Sequence, residues 1–440
     1  MGLTRRELLL GGASLGAAAT LSGCAGLTRP AGEQSTTGTG GGPATLTFVN
    51  WSGDAEKAAF DALIKAFSAE NPDITIKTDT VPYDSIQTNL DSRFQSGNPP
   101  DLFRVSYIDI GQYTSQNVLL DVSGAFDQAR IEEFEPGLWQ AIVYDGKPYG
   151  VPHQIDTTAI LYRKDAFEAA KITNIPQSLE EAWTWEEFAD ASRKLQSVVK
   201  GKQTPFIYDW QSAGAYRWLS WLFQAGGRLL GEDLKAPAID SDPGRKAVEF
   251  TQSFFTEGWV ARNTSTKSST YPDGVFIAGS VAMAFAGDFL IPGIETGIAK
   301  NKFEYGSMPM PRDVAAASDL GGNAIVAAKD GKNTEAAAKF LAFCVQENQQ
   351  RTFCEATGQL PTLKSLTSAQ LDFQVRPDLM EVFVQQAGTI APDQVAQVTV
   401  PQFGKLNVAL RDELDQAFLR GRSAPDTITA LSAAIERAAS

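Results

Sequence analysis

Histidine occurs once in 440 residues, at His153, and cysteine three times, at Cys24, Cys344 and Cys354. A histidine-rich metal site is thereby excluded, and any catalytic dyad would have to use that one imidazole. No Cys-x-x-Cys, His-x-x-x-His, calcium-loop or Walker pattern occurs, so neither a metal nor a cofactor is expected. The one Gly-x-Ser-x-Gly match, Gly12 to Gly16, falls in the N-terminal leader and cannot be a nucleophile elbow. Basic residues are also short, 38 Lys and Arg against 52 Asp and Glu for a net charge of −14. That balance argues against nucleic acid and against an anionic membrane surface as partners. Beyond the leader no run of about 18 apolar residues exists, and no internal repeat is visible, so neither a spanning helix nor a repeat array is expected.

The leader itself is informative. Arg5 and Arg6 precede an apolar run from Leu8 to Leu21, which ends in Leu21-Ser22-Gly23-Cys24. A charged start, a short apolar segment and a small residue before the break form a secretory signal. The run is too short for a bilayer, which takes ~20 residues. The ending resembles a bacterial lipobox, which implies cleavage before Cys24 and acylation of its thiol and new amino group. The adjacent arginines resemble a twin-arginine export signal, with Leu8 where that motif prefers Phe. Residues 1–23 are therefore expected to be a signal peptide, and 24–44 a lipidated cysteine and a flexible Gly/Thr/Ser linker. The mature chain is expected outside the cytoplasm, anchored to the cell membrane by lipid.

About 416 residues remain, more than one hydrophobic core usually organises. Residues 45–49 alternate like a strand, and Phe60, Leu63, Ile64 and Phe67 follow at helical spacing. Residues 74–78, 83–94 and 102–105 then read as strand, helix and strand. Such alternation implies an α/β fold with a parallel sheet covered by helices. Further strands are expected at 158–162, 281–285, 305–311 and 324–328. Helices are expected at 185–199, capped by Thr184 with Glu187, and at 214–225, 244–257 and 334–346. Cys344 and Cys354 could bridge only if the helix breaks between them, as Glu347-Asn348-Gln349-Gln350 would allow. The alternative is two unpaired core thiols.

No acidic pair stands out as a glycosidase couple, because carboxylates are too abundant for the signal to be specific. Aromatic side chains do stand beside small polar residues in expected loops: Trp51-Ser52, Tyr107, Tyr208-Asp209-Trp210 and Phe289, with Trp218 and Trp221 on a helix. A sugar offers an apolar C–H face and a rim of hydroxyls, so its site needs flat rings and short polar groups. Core packing is the competing explanation for each ring, most of all for Trp218 and Trp221.

A series of short landmarks runs along the chain: Phe48-Val49-Asn50-Trp51, Phe67-x-x-Glu70-Asn71-Pro72, Pro99-Pro100-Asp101-Leu102, Tyr149-Gly150-Val151-Pro152, the run Leu161 to Phe167, Trp185-Glu186-Glu187-Phe188 and Gly321-Gly322. In their order and spacing they resemble the carbohydrate-binding lipoproteins of bacterial ABC importers, the extracellular solute-binding family that includes the maltose-binding protein. The resemblance implies two α/β lobes joined by hinge segments, with a ligand between them and closure around it. One lobe would hold 45–155 and 305–345, the other 156–304 and 346–440. By position it implies ligand contacts from Trp51, Ser52 and Asp54, then Ser106, Tyr107 and Asp109, and at the first hinge His153, Gln154 and Asp156. The second lobe would offer Tyr208, Asp209, Trp210, Trp218, Asp288 and Phe289, with Gly322 and Asn323 closing the first lobe's side. Phe289 stands where the family often has tryptophan, and Asn407 where the maltose-binding protein has a stacking ring, so a mono- or disaccharide or an amino sugar is expected over a long maltodextrin. A glycerophosphodiester is the alternative, for which Arg104 and Arg217 are available cations. The expectation is a monomeric receptor, not an enzyme, that delivers its ligand to membrane permease subunits. An exported glycosidase and a structural surface lipoprotein are the competing classes.

Overall fold

The computed structural model describes residues 43–439 apart from 212–213, 301–302 and 368. The expected leader, the expected lipidation site at Cys24 and nearly all of the expected linker lie outside the described residues. Eleven strands follow in chain order: β1 Ala44–Asn50, β2 Ile74–Thr80, β3 Leu102–Ser106, β4 Val143–Tyr144, β5 Lys147–Pro148, β6 Val151–Gln154, β7 Thr158–Arg163, β8 Thr204–Ile207, β9 Val281–Gly287, β10 Tyr305–Met308 and β11 Asn323–Ala327. They form a five-stranded sheet in the order β2-β1-β3-β11-β6, a four-stranded sheet in the order β10-β7-β9-β8, and the small hairpin β4-β5. Each of the two large sheets is the centre of one α/β lobe.

In the first sheet β1 pairs in parallel with β2 and with β3, so helices must carry the chain back each time. Helix α1 (Asp54–Glu70) buries Phe60, Leu63 and Phe67, the positions its 3.6-residue period selects. Helices α2 (Tyr83–Gln95) and α3 (Tyr107–Ser115) follow β2 and β3. In the second lobe the helix Trp185–Val198 begins with the expected capping box: Thr184 Oγ1 accepts from the Glu187 N–H at 3.2 Å, and Glu187 Oε2 accepts from the Thr184 N–H at 2.8 Å. Strand β8, only four residues long, gives no readable alternation. Residues 214–225 divide into a 3₁₀ turn, Gly214–Trp218, and a helix, Leu219–Gln224.

Three segments join the sheets. The first is Ile155-Asp156-Thr157, between β6 and β7. The second was expected at 305–311, but Tyr305–Met308 pairs with β7 inside the second sheet, so the crossing falls after it and before Asn323. The third runs beside the first: Ile155 and Leu360 exchange backbone hydrogen bonds of 2.9 Å in each direction. The helix Glu347–Thr357 packs on α1, so the first lobe keeps the chain past residue 345. The chain does break between Cys344 and Cys354, one helix ending at Cys344 and the next starting at Glu347. Both cysteines nonetheless remain free, buried thiols, which corrects the possible bridge. No helix among the described residues is long and apolar enough to cross a membrane.

Candidate ligand-binding cleft

Strand β1 has β2 on one side and β3 on the other, so the loops leaving the C-terminal ends of β1 and β3 diverge. A crevice opens where they part, as it does at the switch points of α/β sheets. Here it is a cleft of about 520 Å³, within the ~300–1,000 Å³ usual for small-molecule sites. The first lobe contributes Trp51, Ser52, Glu56, Thr80, Tyr83, Arg104, Ser106, Tyr107 and Asn323. The second contributes Tyr216, Arg217, Tyr271, Phe289 and Leu290, and the crossing segments add Asp156, Gly321, Gly322 and Gln359.

Each lobe presents an aromatic pair. Trp51 meets Tyr83 edge to face with ring centroids 5.1 Å apart, and Tyr271 meets Phe289 the same way at 5.4 Å. All four rings are half-buried, leaving apolar surface toward the cleft.

Between the aromatic pairs lie charges already held by the protein. The Arg104 guanidinium donates to the Trp51 carbonyl at 2.8 Å and to Glu56 Oε1 at 2.6 Å, and it stacks over the Trp51 ring. Glu56 Oε1 also accepts from Gln359 Nε2 at 2.7 Å, and Glu56 Oε2 accepts from the Gly53 N–H at 3.1 Å. With its amide oriented so that the oxygen faces donors, Asn323 accepts from Arg104 Nη2 at 2.9 Å. Across the cleft Arg217 Nε lies 3.5 Å from both Asp209 and Asp319, near enough to pair charge but poorly aimed for hydrogen bonds. Its main-chain carbonyl is held by the Tyr208 hydroxyl at 2.9 Å. Asp156, on the first crossing, lines the cleft at 8% exposure. Two glycines make room for it and for its strand: a Cβ at Gly321 would sit 1.9 Å from Asp156 Oδ1, and one at Gly322, whose φ is +101°, would sit 2.5 Å from the Gln154 carbonyl.

Of the expected contacts, Trp51, Ser52, Ser106, Tyr107, Asp156, Phe289, Gly322 and Asn323 come together at the cleft. The others do not line it. Asp54 is exposed at the start of α1, and Asp109 is half-buried in the first turn of α3. His153 is a core residue, stacked on Phe60 and edge-on to Phe353, with neither ring nitrogen partnered. Gln154 is buried behind Asn323. Tyr208 and Trp210 border a separate hollow of about 300 Å³. Asp209 supports Arg217, and fully buried Trp218 donates to Thr251 Oγ1 at 3.0 Å. Asp288 accepts from the Thr157 N–H at 2.7 Å and so pins the first crossing. Among the cleft residues not foreseen, Glu56 carried a readable signal as the third helical residue after Gly53, and Tyr83 as the first after Val81-Pro82. Tyr216 and Tyr271 lie in a 3₁₀ turn and a loop, where no period marks them.

The buried ionisable groups set a pH dependence. Burial pushes Asp156 up to about 7, against the pull of Arg217, and pushes Asp109 up to about 6, with Asp91 adding to it. Burial pushes His153 down to about 3. A carboxyl raised in the folded state stabilises the fold only while protonated, so its contribution is complete below the unfolded value of about 4 and is lost as pH rises from there through 6 and 7. A histidine depressed in the folded state works the other way, removing stability below ~6.5, where the unfolded chain takes a proton that the fold refuses. From these three groups the ligand-free protein is expected to be nearly flat above about pH 7.5 and to gain stability as pH falls through 7, only slowly near 6.5 where His153 partly offsets Asp156, and faster below about 6 where Asp109 joins. Melting scans between about pH 8 and 4 test it. Asp156→Asn should remove the first rise, and His153→Phe should steepen the slow stretch near 6.5. A melting temperature that climbs from pH 6.5 to 8 would contradict the assignment.

A two-lobed α/β fold with a cleft at the sheet switch point places a ligand site between its sheets. The chain belongs to the family of bacterial extracellular solute-binding proteins, whose sequence pattern matches residues 50–351. It is 25% identical to the maltodextrin-binding protein MdxE of Bacillus subtilis over 76% of this chain and 77% of that one. It is also 25% identical to a maltooligosaccharide ABC transporter solute-binding lipoprotein of Streptococcus pneumoniae, over 69% of each. In fold it is similar to an ABC substrate-binding protein of Listeria monocytogenes solved with cycloalternan (TM-score 0.76, 22% identity, 90% of this chain and 98% of that one). It is similar too to the GacH receptor of Streptomyces glaucescens, solved unliganded and with acarbose (TM-score 0.74, 22% identity, 90% and 98%).

Proposed function

We propose that this protein is the substrate-binding lipoprotein of an ABC importer, taking a mono- or disaccharide or an amino sugar between its lobes and delivering it to membrane permease subunits. The observation that carries the reading is the pairing of aromatic edges, Trp51 with Tyr83 and Tyr271 with Phe289, around a floor of buried polar groups. Flat apolar faces above fixed hydrogen-bonding groups match the two surfaces of a pyranose. The named ligands of its relatives, maltodextrin and maltooligosaccharide, are also carbohydrates, though longer ones, and support the carbohydrate part of the reading. A glycerophosphodiester fits less well, because both cleft guanidiniums already face protein carboxylates. In this reading the chain acts as a monomer tethered through Cys24 and releases its ligand unchanged.

Soluble residues 25–440 melted against a panel of mono- and disaccharides, amino sugars and glycerophosphodiesters provide the test. Binding at 100 times the dissociation constant adds ~2.7 kcal/mol to stability. A shift with recovery of intact ligand supports a receptor, whereas turnover would make it an enzyme. Trp51→Ala should weaken binding roughly 10–100-fold, the effect of removing a buried aromatic anchor. The empty protein should change little in melting temperature, because Trp51 is only half-buried. Unchanged affinity in that variant would remove Trp51 from the site.

A further inference from the structure

Acidic side chains outnumber guanidiniums in and behind the cleft. Glu56 and Arg104 neutralise one another. Around Arg217, however, stand Asp156, Asp209 and Asp319, and Asp288 lies behind Asp156. Asp209 and Asp319 share the Arg217 guanidinium, while Asp288 uses one oxygen on the Thr157 N–H and leaves Oδ2 without a partner. Asp156 is more than nine-tenths buried and faces the cleft. Among the described residues no donor hydrogen-bonds its carboxylate, and the nearby guanidiniums act on it only through space. Buried charges are ordinarily paired, and this group has no protein cation of its own.

Resting on the carbohydrate reading above, we propose that the ligand carries a protonated amine and that Asp156 is its counter-ion. A neutral sugar hydroxyl can also donate to Asp156, but it supplies no counter-charge, so the buried carboxyl stays partly protonated near neutral pH. An ammonium group both donates and neutralises, and a hydrogen bond between two ions is about twice as strong as one between neutral groups. Placement adds selectivity: the carboxylate sits on the three-residue link between the sheets, where neighbouring strands fix its backbone on both sides. N-acetylation would remove the charge and add bulk in one step, so the acetylated sugar should be rejected with the neutral parent.

The test compares matched sets by calorimetry: glucosamine, galactosamine and mannosamine, their N-acetyl forms, their neutral parent hexoses, and the β-1,4 glucosamine disaccharide with its diacetylated form and cellobiose. The free amine in at least one set should bind roughly 10–100-fold tighter than its neutral and acetylated partners. In Asp156→Asn, which keeps shape and removes the charge, that preference should fall to near unity while the protein still melts cooperatively. Equal or tighter binding of the neutral or acetylated member overturns the amine assignment and leaves a sugar receptor standing. An amine preference that survives Asp156→Asn overturns Asp156 as counter-ion. Silence of every sugar in the set, neutral members included, overturns this proposal together with the carbohydrate reading.

Discussion

Arg217→Met is expected to lower the stability of the ligand-free protein by ~3–5 kcal/mol, the penalty for deleting one member of a buried ion cluster. Arg217 is 5% exposed, with Asp209 and Asp319 each 3.5 Å from its Nε and Asp156 close by. Methionine fills much of the space but leaves three carboxylates crowded together without a cation. Their charges must then be shed by taking up protons, so the loss should be larger at pH 8 than at pH 5. Combining Arg217→Met with Asp209→Asn and Asp319→Asn should recover much of the deficit, because the residues act as one network. Denaturant melts of the single and triple variants measure both effects. A single-variant loss below ~1 kcal/mol would mean that water reaches the cluster and solvates the carboxylates, a penalty typical of exposed pairs.

Trp210→Ala is expected to be equally damaging, ~3–5 kcal/mol, as for other large-to-small changes in a core. Trp210 is 2% exposed and packs against Tyr208, with centroids 4.6 Å apart, and against Phe418 at 5.6 Å. It therefore ties the loop after β8 to the helix Phe403–Arg420. Sequence reasoning gives the opposite expectation, weakened binding with stability intact, because the residue stands in a Tyr-Asp-Trp run outside any periodic segment. The physical reason for the reversal is that this loop is covered by the C-terminal helices, which sequence spacing cannot place over it. Melting temperature and calorimetry on the same variant separate the two expectations. A stable variant with lost ligand affinity would restore Trp210 to the site.

The two cases show where the sequence is readable. The first lobe's contribution was legible because it hangs from strand ends: Trp51 and Ser52 follow β1, whose alternation is readable, and Ser106 ends β3, a short apolar run after Pro99-Pro100-Asp101. Asp156 was legible as a polar residue between two strands that belong to different sheets. His153, three residues away, faces the aromatic core of the first lobe, because it occupies a strand position while Asp156 occupies the link. Second-lobe contributions were mostly illegible. Tyr216 and Arg217 sit in a 3₁₀ turn, and Tyr271 in a loop before a five-residue helix, where only tertiary packing decides what faces the cleft. The boundary between lobes was misplaced for a related reason. A Pro-punctuated strand at 305–311 looks like a crossing, but whether it pairs with β7 depends on a partner far away in the chain.

Cys344 and Cys354 have a consequence of their own. In the folded protein both thiols are sealed from solvent, and burial holds them well above the ordinary thiol range, so almost no thiolate is present to react. A family that works outside the cell works where unfolded thiols are oxidised. Folding is therefore a race for this chain: until the helices Thr334–Cys344 and Glu347–Thr357 dock, two nucleophiles lie open to capture by other chains. Once docked, the sulfurs are protected by inaccessibility alone, and the yield of free-thiol protein on refolding under oxidising conditions becomes a record of how fast that corner closed.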